Sequence, residues 1–141
     1  MNIVKLTDSL SVSAQINAED VAKIAAAGYK VLINNRPDGE DSHQPAGAVI
    51  AAAAAAVGLE YHHMPVTAAD FPGPDLAAMT DLFDDSERPV LAFCRSGTRC
   101  ANLWVAGLAA SASENAMQTV NQCGFDLSMA STFMADSPPR Q

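Results

Sequence analysis

Short hydrophobic runs alternate along the chain with segments of helical pattern. Residues 10–14 alternate leucine, valine and alanine with serine, which is typical of a strand with one face in the core. Extended patterns rich in β-branched and aromatic residues predict further strands over 30–35 and 59–66. The run 89–93 is apolar almost throughout, as in strands that are buried on both faces.

Helical segments fill most of the intervals between these strands. Asn17 is a suitable N-cap, Asp20 follows three residues later and Gly28 is a suitable terminator, so we expect a helix over 18–27. The alanine-rich segment 45–57 has high helix propensity. The alternation of strands and helices predicts a three-layer α/β/α fold with a parallel sheet of about four strands. The remaining helices are expected over 75–83, 99–108, 116–122 and 127–134.

The composition indicates one domain and limits its partners. The chain has 141 residues, of which 49% are hydrophobic, so we expect a single domain over 1–136 and a disordered tail over 137–141. Its formal net charge of −8 would repel nucleic-acid phosphates and anionic headgroups, and its longest apolar run is too short to span a bilayer. We therefore expect no nucleic-acid partner and no membrane association.

Cysteine and histidine usage bears on location and on metal binding. The N-terminal residues lack a basic region followed by a continuous apolar stretch, and the three cysteines lack the spacing of a zinc site or a disulfide scaffold. These features predict a cytoplasmic protein with at least one free thiol. His62 and His63 are adjacent, so a strand would point them to opposite faces, and we expect no metal and no cofactor.

A loop of unusual composition directly follows the strand predicted over 89–93. It reads Cys94-Arg95-Ser96-Gly97-Thr98-Arg99 and leads into a helix. Ligands of open α/β sheets bind beyond the carboxyl ends of the strands, where backbone N–H groups and a helix dipole attract anions. We expect this loop to hold Cys94 as a nucleophilic thiolate, with Arg95, Ser96, Gly97 and Thr98 binding the substrate. A structural cysteine beside a salt-bridging arginine is the alternative interpretation.

These residues resemble two known families. The loop is similar to the active loop of single-domain rhodaneses, which carry sulfane sulfur as a cysteine persulfide. Most of the chain, from residue 1 to about 130, resembles the phosphatase-like domain of beta-lactamase-hydrolase-like proteins, whose fold is similar to that of dual-specificity phosphatases. The match rests on residues 34–40, on Gly58-Leu59 before a histidine-containing strand that ends in Pro65-Val66, and on residues 89–92. It also implies a functional association with a metal-dependent hydrolase-like sulfur enzyme.

The loop departs from the phosphatase signature in three places. Phe93 replaces the histidine that precedes the cysteine, four residues rather than five separate Cys94 from Arg99, and Cys100 occupies the position of a hydroxyl residue. A shorter loop encloses a smaller anion, which favours a terminal sulfur over a phosphate. Our main interpretation is therefore a sulfurtransferase that moves sulfane sulfur from thiosulfate or a low-molecular-weight persulfide through a persulfide on Cys94.

A cysteine-dependent phosphatase is the alternative enzyme. Residues 66–74 resemble the segment that carries the general acid in phosphatases of this fold, which implies Asp70 as the acid and Arg99 as the phosphate clamp, beside Cys94 as nucleophile. The alternative is that Asp70 is a capping or solvated residue of a loop rich in proline and glycine. A third interpretation, from another class, is an anion-binding or redox-sensing module.

Two further residues have open roles. Arg36 can reach a substrate anion from the end of its strand, or it can pair with Asp38 or Glu40 at the surface. Cys100 can form a disulfide with Cys94 or accept its sulfur, or it can be a small buried thiol that packs like alanine. The expected partner is a small anionic sulfur donor or a phosphate ester.

Overall fold

In a computed structural model of the chain, which describes residues 1–135, a five-stranded sheet lies between two layers of helices. The strands are β1 Ile3–Lys5, β2 Leu10–Ser13, β3 Val31–Asn34, β4 Glu60–His63 and β5 Val90–Phe93. The helices are α1 Ala18–Ala26, α2 Gly47–Ala56, α3 Leu76–Phe83, α4 Thr98–Gly107, α5 Ala110–Gln122 and α6 Ser128–Ala135. The tail predicted over 137–141 lies outside the described residues.

The order of the strands places β5 at the centre of the sheet. The order is β1-β2-β5-β3-β4, in which β2, β5, β3 and β4 are parallel and β1 runs antiparallel to β2. Phe93, the last residue of β5, is opposite Ser13 of β2 and Asn34 of β3. The residue that follows Phe93 therefore emerges between the carboxyl ends of two neighbouring strands, where open α/β sheets bind their ligands.

Two hydrophobic cores cover the two faces of the sheet. Val90 and Ala92 of β5 contribute to the core that also includes residues of α3, α4, α5 and α6. Leu91 and Phe93 alternate with them and pack in the core that includes residues of α1 and α2. The predicted three-layer α/β/α fold, and the burial of β5 on both faces, are confirmed.

The strand β2 differs from its prediction because both of its faces are buried. Ser11 and Ser13, expected at the polar face, are only 3% and 2% exposed. Their hydroxyls are satisfied inside the protein: Tyr29 Oη donates to Ser11 Oγ at 2.9 Å, and Ser13 Oγ donates to the carbonyl of Ala14 at 2.9 Å. Alternation of serine with aliphatic residues therefore does not mark an exposed face here.

Three other features differ from expectation. The sheet has five strands rather than about four, because β1 is only three residues long and shows no alternating pattern. The strand β4 is shorter than predicted. The helix α5 begins at Ala110 rather than at residue 116, because the first turns of α5 carry serine and alanine without an apolar stripe. Within residues 1–135, no helix has both the length and the apolar character needed to cross a membrane.

The buried side chain of Asn102 holds α4 and α6 together. Its Nδ2 donates to the carbonyls of Thr98 at 2.8 Å and Asp126 at 2.7 Å, and its Oδ1 accepts from the backbone N–H of Ala130 at 3.0 Å. A fully buried amide is tolerated only when its hydrogen-bonding groups are paired in this way. Asn102 thereby fixes the first turns of α4, where the candidate active loop ends.

We expect Asn102→Ala to lower the free energy of unfolding by about 2–4 kcal/mol, because it leaves the buried N–H of Ala130 and the carbonyl of Asp126 without the partners they have in the fold. Urea denaturation measures this loss. The exposed Asn121 is the matched control, and Asn121→Ala should change stability by no more than about 0.5 kcal/mol. Equal losses in the two variants would contradict a bracing role for Asn102.

Candidate active site

Hydrogen bonds attach the loop Cys94–Arg99 to the end of β2, the strand that pairs with β5. Cys94 N–H donates to the carbonyl of Ser13 at 3.3 Å, which continues the parallel ladder one residue past β5. The carbonyl of Arg95 accepts from the backbone N–H of Gln15 at 3.3 Å. The two bonds hold the start of the loop against the carboxyl end of β2.

Gly97 is the residue at which the chain turns into α4. Its φ of +92° lies in the left-handed region that side chains disfavour, and it is the N-cap of α4. A Cβ at this position would lie 3.3 Å from the ring of Phe125 and 3.4 Å from the carbonyl carbon of Ser13. Both the backbone conformation and the packing therefore require glycine here.

The sulfur of Cys94 is surrounded by hydrogen-bond donors. Gly97 N–H donates to Cys94 Sγ at 3.1 Å, and the thiol of Cys100 also hydrogen-bonds to it. The bond from the Cys100 thiol is the largest influence on the pKa of Cys94. Burial opposes it, the backbone N–H groups of Cys100, Ser96 and Gly97 reinforce it, and the net pKa of Cys94 falls to about 6. At neutral pH this thiol is mostly a thiolate.

The pKa of Cys100 is shifted in the opposite direction to that of Cys94. Its side chain is fully buried in the first turn of α4. Burial raises the pKa of Cys100 well above its ordinary value, and the neighbouring thiolate of Cys94 raises it further by hydrogen bonding and like charge. Cys100 is therefore a protonated donor next to an ionised acceptor. The three cysteines Cys94, Cys100 and Cys123 are all free thiols.

The guanidinium of Arg99 lies at the side of the loop. Its Nη1 donates to the carbonyls of Val66 at 2.8 Å and Asn35 at 3.4 Å, and its Nη2 donates to Glu40 Oε1 at 3.1 Å. The side chain of Arg95 is exposed. The causes of the lowered pKa of Cys94 are thus the hydrogen bonds from the Cys100 thiol and the backbone, and neither guanidinium is among them.

A single carboxylate joins Arg99 to a second arginine. Glu40 Oε1 also accepts from Arg36 Nε at 3.0 Å, while Arg36 Nη1 donates to Gln15 Oε1 at 3.1 Å. Burial raises the pKa of Glu40, but hydrogen bonds from Arg99 and Arg36 outweigh it, and the net pKa is lowered. Arg36 does pair with Glu40, but the expectation of a surface arginine is wrong because it is only 3% exposed.

Asp70 lies in an exposed turn before α3. The backbone N–H and the hydroxyl of Thr67 donate to Asp70 Oδ1 at 2.6 and 2.9 Å, and Asp70 N–H donates back to Thr67 Oγ1 at 3.2 Å. These bonds lower the pKa of Asp70, and the charge of Arg99 adds a smaller lowering. The carboxylate is thus ionised and caps its own turn in this state, within the electrostatic reach of Arg99.

The remaining loop residues are polar and accessible. Ser96 is exposed, and its hydroxyl hydrogen-bonds with that of Thr98 at 3.1 Å. The loop therefore offers backbone N–H groups around the sulfur, together with two hydroxyls near the N-terminus of α4. Such an arrangement can bind a small anion and can present a sulfur nucleophile to it.

The two histidines of β4 bind different partners. His62 Nε2 contacts Glu60 at 2.6 Å, whereas His63 Nε2 hydrogen-bonds to the carbonyl of Arg36 at 2.9 Å. No cluster of three or more His, Cys, Asp or Glu side chains that could hold a metal ion occurs among residues 1–135.

Some residues of the site were not identified from the sequence. Gln15 and the carbonyls of Asn35 and Val66 hold the two arginines, and Glu40, which was expected only as a partner of Arg36, also binds Arg99. Each follows a strand that ends at the same edge of the sheet as β5. In the sequence, these residues could have been noticed because each follows a predicted strand. Their proximity depends on the order of the strands in the sheet, which the hydrophobic pattern does not reveal.

Comparisons with known proteins agree on the family. The sequence pattern of the family described as "Beta-lactamase hydrolase-like protein, phosphatase-like domain" matches residues 2–111. A beta-lactamase hydrolase-like protein of Agrobacterium fabrum is 35% identical over 107 residues, which are 76% of this chain and 25% of that protein. The chain therefore spans about a quarter of the length of this curated relative.

Solved structures agree on the fold. A proposed phosphatase from Neisseria meningitidis superposes with a TM-score of 0.79 at 36% identity, covering 94% of this chain and 96% of that chain. P. aeruginosa TpbA, as a variant in complex with phosphotyrosine, gives a TM-score of 0.56 at 18% identity, covering 96% of this chain and 91% of that chain. Because the matched pattern covers most of the sequence, this chain belongs to the family of phosphatase-like domains of beta-lactamase hydrolase-like proteins and has the fold of the cysteine phosphatases.

Proposed function

We propose that this domain hydrolyses phosphate monoesters with Cys94 as the nucleophile. The observation that carries the proposal is the stabilised thiolate, whose pKa is lowered to about 6 by the Cys100 thiol and backbone N–H groups of a loop before a helix. A thiolate in an anion-binding loop can attack phosphorus while the same N–H groups bind the phosphoryl oxygens. The phosphotyrosine complex of TpbA, a protein of the same fold, supports a phosphate ester as the substrate class.

The proposed reaction has two steps. Cys94 Sγ attacks phosphorus, the bond to the ester oxygen breaks, and the leaving oxygen takes up a proton. Water then attacks the phosphocysteine and releases inorganic phosphate and the thiolate. Arg99 supplies positive charge beside the loop, and Glu40 and Arg36 keep its guanidinium in place. The loop N–H groups of Ser96 and Gly97 face the sulfur and serve both steps.

Asp70 is the proposed proton donor, and it must first gain a proton. Hydrogen bonds from Thr67, and to a smaller extent the charge of Arg99, lower its pKa. A bound phosphate dianion places negative charge near this carboxylate and engages Arg99, and both effects raise the pKa of Asp70. Substrate binding thereby prepares the acid that protonates the leaving oxygen.

Sulfur transfer is a second candidate, and a specific observation favours it. Only four residues separate Cys94 from Arg99, and Arg99 is directed to Val66, Asn35 and Glu40 rather than to the sulfur. A terminal persulfide sulfur needs fewer oxygen contacts than a phosphoryl group, and its transfer needs no general acid. The comparisons favour the phosphatase, so we place the sulfurtransferase second.

The two activities are separated by a side-by-side assay of one preparation. We expect phosphate release from p-nitrophenyl phosphate and a decrease of about a thousandfold or more in Cys94→Ser, which removes the nucleophile. Thiocyanate formation from thiosulfate and cyanide is measured in parallel, with Cys123→Ser as the matched cysteine control. Thiocyanate formation without phosphate release, lost in Cys94→Ser only, would reverse our ranking.

The lowered pKa of Cys94 predicts a characteristic pH dependence of alkylation. The thiolate is the reactive form, and its fraction rises as pH increases through the pKa, so iodoacetamide should label Cys94 half-maximally at about pH 6. Peptide mass spectrometry measures labelling at this residue. Cys100→Ala should move the midpoint upward because it removes the strongest stabilising hydrogen bond, whereas Cys123→Ser should leave it unchanged. A wild-type midpoint at the ordinary pKa of a free cysteine would contradict the thiolate.

Asp70→Asn tests the general acid through the leaving group. We expect a decrease of about a hundredfold or more with phenyl phosphate, whose leaving oxygen needs a proton, and a much smaller decrease with p-nitrophenyl phosphate. Steady-state kcat/KM values for both esters measure the difference. Asp84→Asn changes an exposed carboxylate after α3 and is the control. An equal effect of Asp70→Asn on both esters would contradict proton donation.

A further inference from the structure

We propose that Asn35 is a positioning residue of this site, which holds the segment 64–66 in place and through it sets both the guanidinium of Arg99 and the general acid Asp70. The proposal rests on the proposed phosphatase function, because it gives Asn35 a part in binding the phosphoryl group and in protonating the leaving oxygen. Asn35 acts through the residues to which it is hydrogen-bonded.

Asn35 lies where three parts of the site meet. It directly follows β3 and is fully buried. Its N–H donates to the carbonyl of Phe93, the residue before Cys94, at 2.9 Å. Its carbonyl accepts from the N–H of Val66 at 3.1 Å and from Arg99 Nη1 at 3.4 Å. The backbone of this one residue therefore connects the end of β5, the Arg99 guanidinium and the segment that follows β4.

The side chain of Asn35 holds the same segment a second time. Its Nδ2 donates to the carbonyl of Met64 at 2.9 Å and to Met79 Sδ of α3 at 3.2 Å. The segment 64–66 follows β4 and belongs to no strand or helix. Its position therefore depends on individual hydrogen bonds such as these.

The segment 64–66 is connected to two parts of the proposed mechanism. Among the hydrogen bonds of the Arg99 guanidinium, the one to the carbonyl of Val66 is the shortest, at 2.8 Å. The next residue is Thr67, whose N–H and hydroxyl both donate to Asp70 Oδ1. A displacement of the segment therefore moves the phosphate clamp and the proton donor together. A misplacement of about 1 Å can lower a rate by about a hundredfold.

The amide oxygen of Asn35 argues against a purely structural role. Its Oδ1 is buried and has no hydrogen-bond partner within residues 1–135. Such an oxygen costs at least as much free energy as an ordinary hydrogen bond contributes, so the amide as a whole adds little to stability. A leucine has nearly the same shape and avoids this cost. The presence of an amide here is therefore explained by what its Nδ2 positions.

Steady-state kinetics of Asn35→Leu test the proposal, because leucine donates no hydrogen bond. We expect the ratio of kcat/KM for p-nitrophenyl phosphate to that for phenyl phosphate to rise about tenfold, since only phenyl phosphate depends strongly on the proton from Asp70. The inhibition constant of inorganic phosphate should rise about threefold or more, because Arg99 is less well oriented. A smaller amount of folded enzyme lowers both rates equally and changes neither quantity.

Two further variants separate positioning from stability. Ile24→Val removes a buried methyl group from the core on the other face of the sheet, and it should change neither quantity. In an Asp70→Asn background, Asn35→Leu should leave the ester ratio nearly unchanged, because the acid that it positions is already absent. An unchanged ratio in folded Asn35→Leu, or an equal rise with and without Asp70, would overturn the proposal.

A measurement without turnover separates this proposal from the proposed function. Inorganic phosphate bound at the loop should slow the iodoacetamide labelling of Cys94, and Asn35→Leu should need a higher phosphate concentration for this protection than the wild type or Ile24→Val. If the wild type hydrolyses neither ester, the proposed function fails together with the role of Asn35 towards Asp70, whereas protection still decides its role towards Arg99. Equal protection in the three proteins, or none in any, would overturn that role. If Asn35→Leu does not fold, Asn35→Ala, which also removes Nδ2, replaces it in each assay.

Discussion

The negative charge on the sulfur of Cys94 is the constraint on which the surrounding structure depends. A buried ion is costly unless donors are already in place around it. Here the donors come from one short turn, because Gly97 directs the backbone N–H groups inward and the first turn of α4 delivers the thiol of Cys100. The contacts of the turn with β2, with Phe125 and, through Asn102, with α6 all act to keep that turn closed.

A group of charged side chains outside the loop also supports the site around Cys94. Arg36 is a nearly buried cation, and such a group is stable only with a hydrogen-bonded partner. Glu40 provides that partner and also binds Arg99, so one carboxylate sets the positions of two guanidiniums. The segment after β3 thereby becomes part of the site without touching the sulfur. An anion that binds at the loop meets an Arg99 whose orientation is already fixed.

The sequence predicts local features of the molecule well and its spatial neighbours poorly. The loop from Cys94 to Arg99 was recognisable because a buried strand, a glycine and a helix start are contiguous. Most helices and strands followed from periodicity, but β1 was too short to show one. Gln15 and the carbonyl of Val66 enter the site only because β2 and β4 end at the same edge as β5. That arrangement depends on long-range packing, which no local pattern encodes.

The distinction between phosphate and sulfur chemistry depends on proton supply rather than on the nucleophile. Hydrolysis of a phosphate ester and transfer of a sulfane sulfur both begin from the same thiolate of Cys94. Only the first requires a proton for a leaving oxygen, and the pKa of Asp70, the proton donor that we propose, is lowered by its bonds to Thr67. A substrate must therefore bring enough negative charge to raise that pKa. A phosphate dianion meets this condition, whereas sulfur transfer breaks no bond to a leaving oxygen and therefore does not depend on the protonation of Asp70.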